Sequence, residues 1–257
     1  MGIGTSVSLL LLLKYLSNEF DCAVVSDGYS QQLPDVLDKI NVHHYALPDR
    51  LVFYLPSLVN LIQRDKYDLI YANGSNERSR GAFWASKLTC RPLIWHIRES
   101  LRTKKYAGTI RFADRVIANS NDTAERLIKY ADVTNPIIIA NGVEFQSQEY
   151  FKENMQKKLG TRFGLNFDWL RVVNIGRICP DKNQADVIRV ARQVITRFPQ
   201  TYFLIIGAPE TEYLKYLKEL VCQFDLEKHV LFFDYTPGIS EILQGCDMML
   251  HVSKKES

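Results

Sequence analysis

Residues 172–188 read VVNIGRICPDKNQADVI, an apolar run that ends at a glycine and is followed by a polar turn and an amphipathic run. The unbroken apolar run is typical of a strand in a parallel sheet that helices cover on both faces. Apolar side chains then recur at helical spacing and form one stripe that can face such a sheet, at Val187, Ile188, Ala191, Val194, Ile195 and Phe198. The segment therefore predicts a strand–turn–helix unit of an α/β fold.

The same alternation of short apolar runs and amphipathic segments extends along the whole chain. The predicted strands are Cys22–Ser26, Val42–Leu47, Asp68–Ala72, Pro92–Ile97, Arg115–Asn119, Pro136–Ala140, Leu170–Ile175, Thr201–Ile206, His229–Asp234 and Asp247–Val252. A polar, charged segment at residues 144–168 separates two series of these runs. We therefore predict an α/β protein with two Rossmann-like domains, residues 1–143 and 169–257, joined by a partly helical connection at 144–168.

The composition is that of an ordinary globular protein, with 46% hydrophobic residues among 257. Lysine and arginine number 32 against 29 aspartates and glutamates, and a net charge of +3 gives no reason to expect a nucleic-acid partner. The five cysteines contain no C-x-x-C pair, which argues against a zinc ribbon or disulfide framework and suits a reducing cytosol. The longest apolar run, Val7–Leu13, is far shorter than the ~20 residues of a membrane span. We therefore expect a cytoplasmic protein.

The turn after the strand in 172–188 is the strongest candidate site, because ligands of open α/β sheets bind beyond the carboxyl ends of the strands. Gly176 ends the strand and Arg177 follows it. Asp181 is predicted to cap the next helix in a capping box with Gln184, which would place Lys182 in the first helical turn. Two cations beside a helix N-terminus indicate a phosphate or diphosphate site. The alternative is a surface arginine and lysine in an ordinary loop.

Two glycine turns are further candidates for close backbone contact with a ligand. Gly2 and Gly4 precede an apolar helix predicted at Val7–Leu16, in the manner of a phosphate-binding loop, although a third glycine and a preceding strand are missing. Gly207 ends the strand Thr201–Ile206, where glycine is equally an ordinary turn residue. Neither turn identifies a ligand by itself.

Histidine and carboxylate side chains at strand ends complete the set of candidates. His96 lies at the end of the strand Pro92–Ile97 and Glu99 follows three residues later, so that they either position or deprotonate a hydroxyl or serve the structure alone. Glu256, just past the last predicted strand, either accepts hydrogen bonds from a sugar hydroxyl or is a solvated charge. No pair of histidines or cysteines has the spacing of metal ligands, so no metal site is predicted.

Several stretches of the chain resemble one known family. They are GIGTSVSLLLLLKYL, IWHIRES, RVIANSNDTAERL and NGV (Asn141–Val143) in the first half, and NIGRICPDKNQADVI, LIIGAPE and MMLHVSKKES in the second. Together they resemble the retaining glycosyltransferases of family 4, which have the two-domain GT-B fold. The similarity runs in family order along nearly the whole chain, and the block that holds Arg177 and Lys182 is its most specific part.

This resemblance implies that a nucleotide-sugar donor binds mainly to the second domain. Arg177 and Lys182 would contact the donor diphosphate, and Glu256 would contact hydroxyls of the transferred sugar. The implied donor-binding glycines are Gly2, Gly4, Gly176 and Gly207, and the implied acceptor-side residues are His96 and Glu99.

The implied reaction is sugar transfer with retention to a glycan or glycolipid acceptor, in surface polysaccharide or lipopolysaccharide biosynthesis. No Asp-x-Asp pair is present, although transferases that use a divalent ion usually hold it with one. The expected enzyme therefore needs no metal or other cofactor, since arginine, lysine and backbone dipoles neutralise the leaving diphosphate. It is expected in the cytoplasm, with peripheral contact at the inner face of the membrane left open.

The chain departs from the family pattern at both ends. Met1 leads directly into the glycine turn, where relatives have a strand first, and a second glutamate expected at position 264 lies beyond Ser257. We therefore expect a truncated transferase with an incomplete second domain. The alternatives are an inactive remnant that at most binds ligand, or a related GT-B nucleotide-sugar epimerase, which would convert the donor without an acceptor.

Overall fold

The computed structural model describes residues 4–26, 33–48, 50–98, 107–143, 152–236 and 238–254. The chain divides into two compact units, an N-terminal one that ends at Phe145 and a C-terminal one that begins at Gln146. In each unit, parallel strands alternate with helices. Within the described ranges, no helix is long and apolar enough to cross a lipid bilayer.

The N-terminal unit contains a two-stranded and a four-stranded sheet. Its elements are α1 (Gly4–Leu16), β1 (Ala23–Ser26), α2 (Leu33–Asp38), β2 (His43–Ala46), α3 (Leu51–Arg64), β3 (Ile70–Asn73), α4 (Glu77–Thr89), β4 (Leu93–Ile97), β5 (Arg115–Ala118), α5 (Asn121–Ala131) and β6 (Ile137–Ile138). A 3-10 turn at Ile110–Phe112 precedes β5. β1 pairs with β2, and the larger sheet has the order β3-β4-β5-β6.

The central strand β4 shows how this sheet forms its core. Leu93, Trp95 and Ile97 alternate along the strand and are fully buried in the apolar cluster beneath α3, α4 and α5. Successive side chains of a strand point to opposite faces, so His96 lies on the other face. The two helices after β3 and β5 begin at side-chain caps, because Asn76 accepts a hydrogen bond from Ser79 N–H and Ser120 accepts one from Thr123 N–H.

The C-terminal unit has one four-stranded sheet of order β10-β7-β8-β9. Its elements are α6 (Lys152–Phe163), β7 (Leu170–Ile175), α7 (Gln184–Ile195), β8 (Thr201–Ile206), α8 (Thr211–Gln223), β9 (Val230–Phe233), α9 (Ile239–Gln244) and β10 (Met248–Met249). Helices cover both faces, since Phe203 and Ile205 pack into one apolar cluster and Leu204 and Ile206 pack into another. This arrangement explains the unbroken apolar runs of the sequence.

The strands Leu170–Ile175 and Thr201–Ile206 have the bounds that the sequence predicted. Two other predicted strands are far too long, since Pro136–Ala140 contains only the two residues of β6 and Asp247–Val252 only the two of β10. Both are edge strands with one neighbour, and their residues are exposed. An apolar run therefore predicts the position of a strand, but not how many of its residues pair with a neighbouring strand.

Candidate active site

The loops that follow β7 and β8 are held together by their backbones. Gly176 N–H donates to the Ile206 carbonyl at 3.0 Å, and Ile178 N–H donates to Ala208 at 2.9 Å. Glu210 N–H then donates to the Ile178 carbonyl at 2.9 Å. The parallel pairing of the two strands thus continues beyond their ends, where ligands of this fold class bind.

Gly207 makes this close approach sterically feasible, and Gly176 shares its backbone conformation. Both residues have a φ of +155°, a conformation that side chains other than hydrogen disfavour. A Cβ atom on Gly207 would lie 2.0 Å from the Gly176 carbonyl oxygen, so any larger residue would push the two loops apart. The two glycines therefore fix the floor of the candidate donor site.

Arg177 emerges from this floor with an exposed side chain, whereas its neighbours Ile178 and Cys179 are buried at 1% and 2% exposure. Within the described part of the chain, its guanidinium has no hydrogen-bond or ion-pair partner. The buried Gln184 side chain donates to the Arg177 carbonyl at 3.1 Å and so ties this backbone to the start of α7. An anchored backbone that carries an exposed cation is suited to an anionic ligand.

The predicted capping box is wrong. Residues Pro180–Lys182 form a separate 3-10 turn, in which Lys182 N–H donates to the Cys179 carbonyl, and α7 begins only at Gln184. Asn183 occupies the N-cap position of α7 in a left-handed conformation with φ of 55°, and its side chain makes no capping hydrogen bond. Pro180 favours the tight turn because its φ is already fixed near the helical value. Lys182 is therefore half-buried in the turn before α7 and not in its first turn.

The chain after β10 runs along this loop. Asn174 donates to the Leu250 carbonyl at 2.8 Å, and Lys254 N–H donates to the Asp181 carbonyl at 2.9 Å. Residues 250–254 therefore lie beside the turn that contains Lys182. Glu256, two residues further on, lies outside the described residues.

Other predicted site residues also lie outside the described part of the chain or differ from expectation. Gly2 and Glu99 are among the residues that the structure does not describe. The helix predicted at Val7–Leu16 begins at Gly4, so Gly4 belongs to α1 itself and not to a loop before it. Its backbone N–H is one of those that a helix leaves free at its start.

In the N-terminal unit, polar side chains gather on one face at the carboxyl ends of β3 and β4. The register pairs Asn73 with His96, and Tyr71 precedes Asn73 by two residues on the same face. His96 is only 4% exposed, and its Nδ1 atom lies 2.5 Å from the Tyr71 hydroxyl oxygen. The histidine predicted from the sequence is therefore part of a buried polar network.

Arg98 is the residue of this network that sequence analysis missed. It is 6% exposed, its Nε donates to Asn73 Oδ1 at 2.7 Å, and its guanidinium also donates to Asn141 Oδ1. Asn119 donates to the Arg98 carbonyl at 3.2 Å. The sequence could have indicated Arg98, since a side chain two residues after His96 in an extended strand lies on the same face.

The charge of Arg98 changes the chemistry of its neighbours. Burial, and next the charge of Arg98, lower the pKa of His96 to about 4. Burial raises the pKa of Tyr71, while Arg98 opposes that rise through its charge and a side-chain hydrogen bond. At neutral pH, His96 is therefore an uncharged imidazole and a weak base.

Comparison with protein families then identifies the chain. Residues 3–147 match the family described as Glycosyltransferase Family 4, and residues 162–257 match Glycosyl transferases group 1. The chain belongs to glycosyltransferase family 4. The resemblance inferred from the sequence is confirmed, and the matched regions include Arg177, Lys182 and His96.

Two relatives of this family 4 chain are named for the reactions that they catalyse. A UDP-Gal:alpha-D-GlcNAc-diphosphoundecaprenol alpha-1,3-galactosyltransferase of Escherichia coli is 25% identical over 76% of this chain and 54% of its own length. An N-acetyl-alpha-D-glucosaminyl L-malate synthase of Bacillus anthracis is 20% identical over 91% of this chain and 65% of its own length. The family 4 chain thus spans less than two thirds of either relative.

Solved structures agree on the fold. The Anabaena protein HepE, crystallised with UDP and glucose, superposes with a TM-score of 0.80 at 22% identity, over 98% of this chain and 71% of HepE. A glycosyltransferase from Rickettsia africae gives 0.81 at 16% identity, over 97% of this chain and 70% of its own. The family 4 chain therefore has the α/β architecture with Rossmann-like domains that glycosyltransferases of the GT-B type share, as the sequence predicted.

We expect the variant Gly207→Ala to lower the free energy of unfolding by about 2 kcal/mol or more, because its backbone strain adds to the contact with Gly176. Gly108→Ala is the matched control, since the added Cβ meets no atom within 4 Å there and the expected change is below about 0.5 kcal/mol. Urea unfolding of both variants measures the difference. Equal stability of the two variants would contradict the close contact.

Proposed function

We propose that this chain takes part in the transfer of a sugar from a nucleoside-diphosphate donor to a glycan or glycolipid acceptor, as a metal-independent enzyme. The observation that carries the proposal is the anchored loop from Gly176 to Lys182, which presents Arg177 beyond the carboxyl ends of two buried parallel strands. HepE was crystallised with UDP and glucose, and the Escherichia coli relative is named as a transferase that uses a UDP-sugar. Both support a donor of this class.

The donor site is proposed to act on the diphosphate that leaves the sugar. Arg177 precedes the 3-10 turn Pro180–Lys182 and Lys182 ends it, so both supply positive charge just before α7 begins at Gln184. Hydrogen bonds from charged donors contribute about 1.5–3 kcal/mol each. Because negative charge accumulates on the leaving oxygens as the bond to the sugar breaks, fixed cations stabilise the transition state more than the ground state.

We also propose that the transfer retains the configuration of the sugar. With its low pKa, His96 is a poor base for the hydroxyl of an acceptor at neutral pH. We propose that the leaving phosphate accepts that proton on the same face of the sugar, while His96 contributes to acceptor binding. Glu256 is proposed to bind hydroxyls of the transferred sugar. Gly2 and Gly4 are proposed to bind the donor, and Glu99 is proposed to lie on the acceptor side.

A lipid-linked acceptor would be met at a membrane surface, and the N-terminal unit has a suitable patch. Trp84, Leu88 and Phe112 are 47%, 61% and 52% exposed. Lys87 donates to the Phe112 carbonyl at 3.2 Å, and the Arg111 guanidinium lies 4.8 Å from the Phe112 ring centre. We call these five residues the aromatic–basic patch and propose that it contacts anionic lipid headgroups, since aromatic and basic side chains together favour the membrane interface.

Arg177→Ala and Lys182→Ala are each expected to weaken UDP binding about 10- to 100-fold, the loss expected from one charged hydrogen-bond donor. Isothermal titration of the full chain with UDP measures the affinity. Arg189→Ala is the matched control on α7, because Arg189 is exposed and already paired with Asp186 at 2.6 Å. Unchanged affinity in both test variants would refute the site assignment.

Removal of divalent ions is expected to leave UDP binding unchanged, because the proposed site neutralises phosphate charge with side chains and backbone dipoles. The measurement is the same titration after treatment with EDTA, with and without added Mn²⁺ or Mg²⁺. An affinity that falls with EDTA and returns with either ion would overturn the metal-independent proposal.

Binding of the full chain to vesicles that contain phosphatidylglycerol is expected to exceed binding to phosphatidylcholine vesicles, because the patch carries two cations. The double variant Trp84→Ser/Phe112→Ser is expected to reduce co-sedimentation, whereas Ile128→Ser, which removes an exposed apolar side chain from α5, serves as the control. Equal loss in both variants, or no preference for anionic vesicles, would contradict the assignment of the patch.

A further inference from the structure

The chain that follows β10 continues beside β7, but its partners change from backbone to side chains. Leu250 N–H still donates to the Val173 carbonyl at 2.9 Å, as in a regular parallel ladder. The Leu250 carbonyl accepts from the Asn174 side-chain amide at 2.8 Å, and the Val252 carbonyl accepts from the Asn183 side-chain amide at 3.3 Å. Two asparagine side chains thus take the place that a neighbouring backbone would have in a longer strand.

Asn183 joins this segment to the start of α7. It directly follows the 3-10 turn of the candidate donor site and is 6% exposed. Its Nδ2 atom donates to Asp186 Oδ2 at 2.6 Å as well as to the Val252 carbonyl. One side chain therefore bridges the helix behind the donor turn and the chain that leaves β10.

The chemistry of the two partners explains why the bridge is an amide. A carboxylate oxygen and a carbonyl oxygen are both acceptors, and the Nδ2 atom of asparagine has one hydrogen for each. The hydrogen bond from Asn183, and next the one from Arg189, lower the pKa of Asp186, so Asp186 is an anion that orients the amide. An aspartate at position 183 would instead direct a third acceptor toward these two oxygens.

The backbone of Asn183 restricts the residue types that suit this position. Its φ of 55° lies in the left-handed region, which asparagine and glycine adopt more readily than other residues. Glycine would meet this backbone requirement but would have no amide to donate. The two requirements can therefore be separated by a single substitution.

A second contact ties the other side of Lys182 to the same segment. Lys254 N–H donates to the Asp181 carbonyl at 2.9 Å. Asp181 and Asn183, the neighbours of Lys182 in the chain, are thus each bonded to residues 250–254. These bonds restrict the backbone from which the Lys182 side chain extends.

We propose that Asn183 is a positioning residue, which clamps residues 250–254 to the turn that carries Lys182 and so holds this lysine in place for an anionic ligand. The role of the lysine rests on the proposed function, whereas the clamp is a property of the chain itself. A backbone that is fixed from both sides has less conformational entropy to lose when a ligand binds. Residues 250–254 thus contribute to donor binding by supporting the turn.

Hydrogen exchange of the full chain, followed by NMR, tests the clamp through the backbone N–H of Lys254. We expect slow exchange in the unaltered chain, and exchange about tenfold faster or more in Asn183→Gly, which keeps the backbone conformation and removes the amide. Asn41→Gly is the matched control and is expected to leave Lys254 unchanged, since Asn41 has a φ of 54° but lies in the N-terminal unit. Fast exchange of Lys254 in the unaltered chain, or unchanged exchange in Asn183→Gly, would overturn the proposal.

The variant Asn183→Asp tests the same contact while keeping the size of the side chain. At neutral pH it places a carboxylate opposite Asp186 and the Val252 carbonyl, so we expect the Lys254 amide to exchange at least as fast as in Asn183→Gly. Exchange as slow as in the unaltered chain would show that the amide hydrogens do not hold the segment and would refute the clamp.

Titration with UDP separates the positioning role from a general effect on stability. Asn183→Gly is expected to weaken UDP binding about 2- to 10-fold, the loss expected from one neutral hydrogen bond. In the Lys182→Ala background, the same substitution is expected to change the affinity less than about twofold, because no lysine is left to position. No loss in the unaltered background, or equal losses in both, would refute the positioning role. A chain that protects the Lys254 amide but binds no UDP would instead refute the proposed function and leave the clamp in place.

Discussion

The contact between the backbones after β7 and β8 is the constraint on which the candidate donor site depends. Gly207 lies so close to the Gly176 carbonyl that no side chain fits, and hydrogen bonds from Ile178 and Glu210 extend the sheet past its strands. Arg177 is therefore flanked by a fixed glycine and a buried isoleucine. The backbone that carries Arg177 is thus fixed before a ligand arrives, so that only the exposed side chain remains to be ordered on binding.

Neutral amides have a comparable role at both candidate sites. Asn73 and Asn141 accept hydrogen bonds from Arg98, and Asn174 donates to the Leu250 carbonyl beside the donor loop. An amide satisfies a buried polar group without cancelling its charge, whereas a carboxylate in the place of Asn73 would neutralise Arg98. Burial is the larger cause of the low pKa of His96, and the smaller contribution from the charge of Arg98 depends on asparagine and not on aspartate at these positions.

The sequence predicted those parts of the structure that depend on local patterns. The strands β7 and β8 were placed to the residue, because both are interior strands whose apolar runs are buried on both faces. The capping box failed because D-x-x-Q matches a helix start, yet Pro180 favours a 3-10 turn that delays the helix to Gln184. A spacing rule does not predict which of two competing local structures is the more stable.

The contacts that the sequence could not predict join residues that lie far apart in the chain. The contact of Tyr71 with His96 joins residues 25 positions apart and depends on the register between β3 and β4. Asn141 was quoted only as part of a motif, and its contact with Arg98 spans 43 positions. His96 itself could be found at a strand end, but its role required partners that only the folded sheet brings together.

The low pKa of His96 and the positive charge of the donor loop are consistent with one division of labour in the proposed reaction. A terminal phosphate has a second pKa of about 6, against about 4 for His96. The phosphate is therefore a stronger base than His96 and is the better acceptor for the proton of an acceptor hydroxyl. Cations around the diphosphate lower its basicity and narrow that margin, but they stabilise the leaving group at the same time. A site that relies on its leaving group as the base therefore needs cations that stabilise the leaving diphosphate without removing its ability to accept a proton.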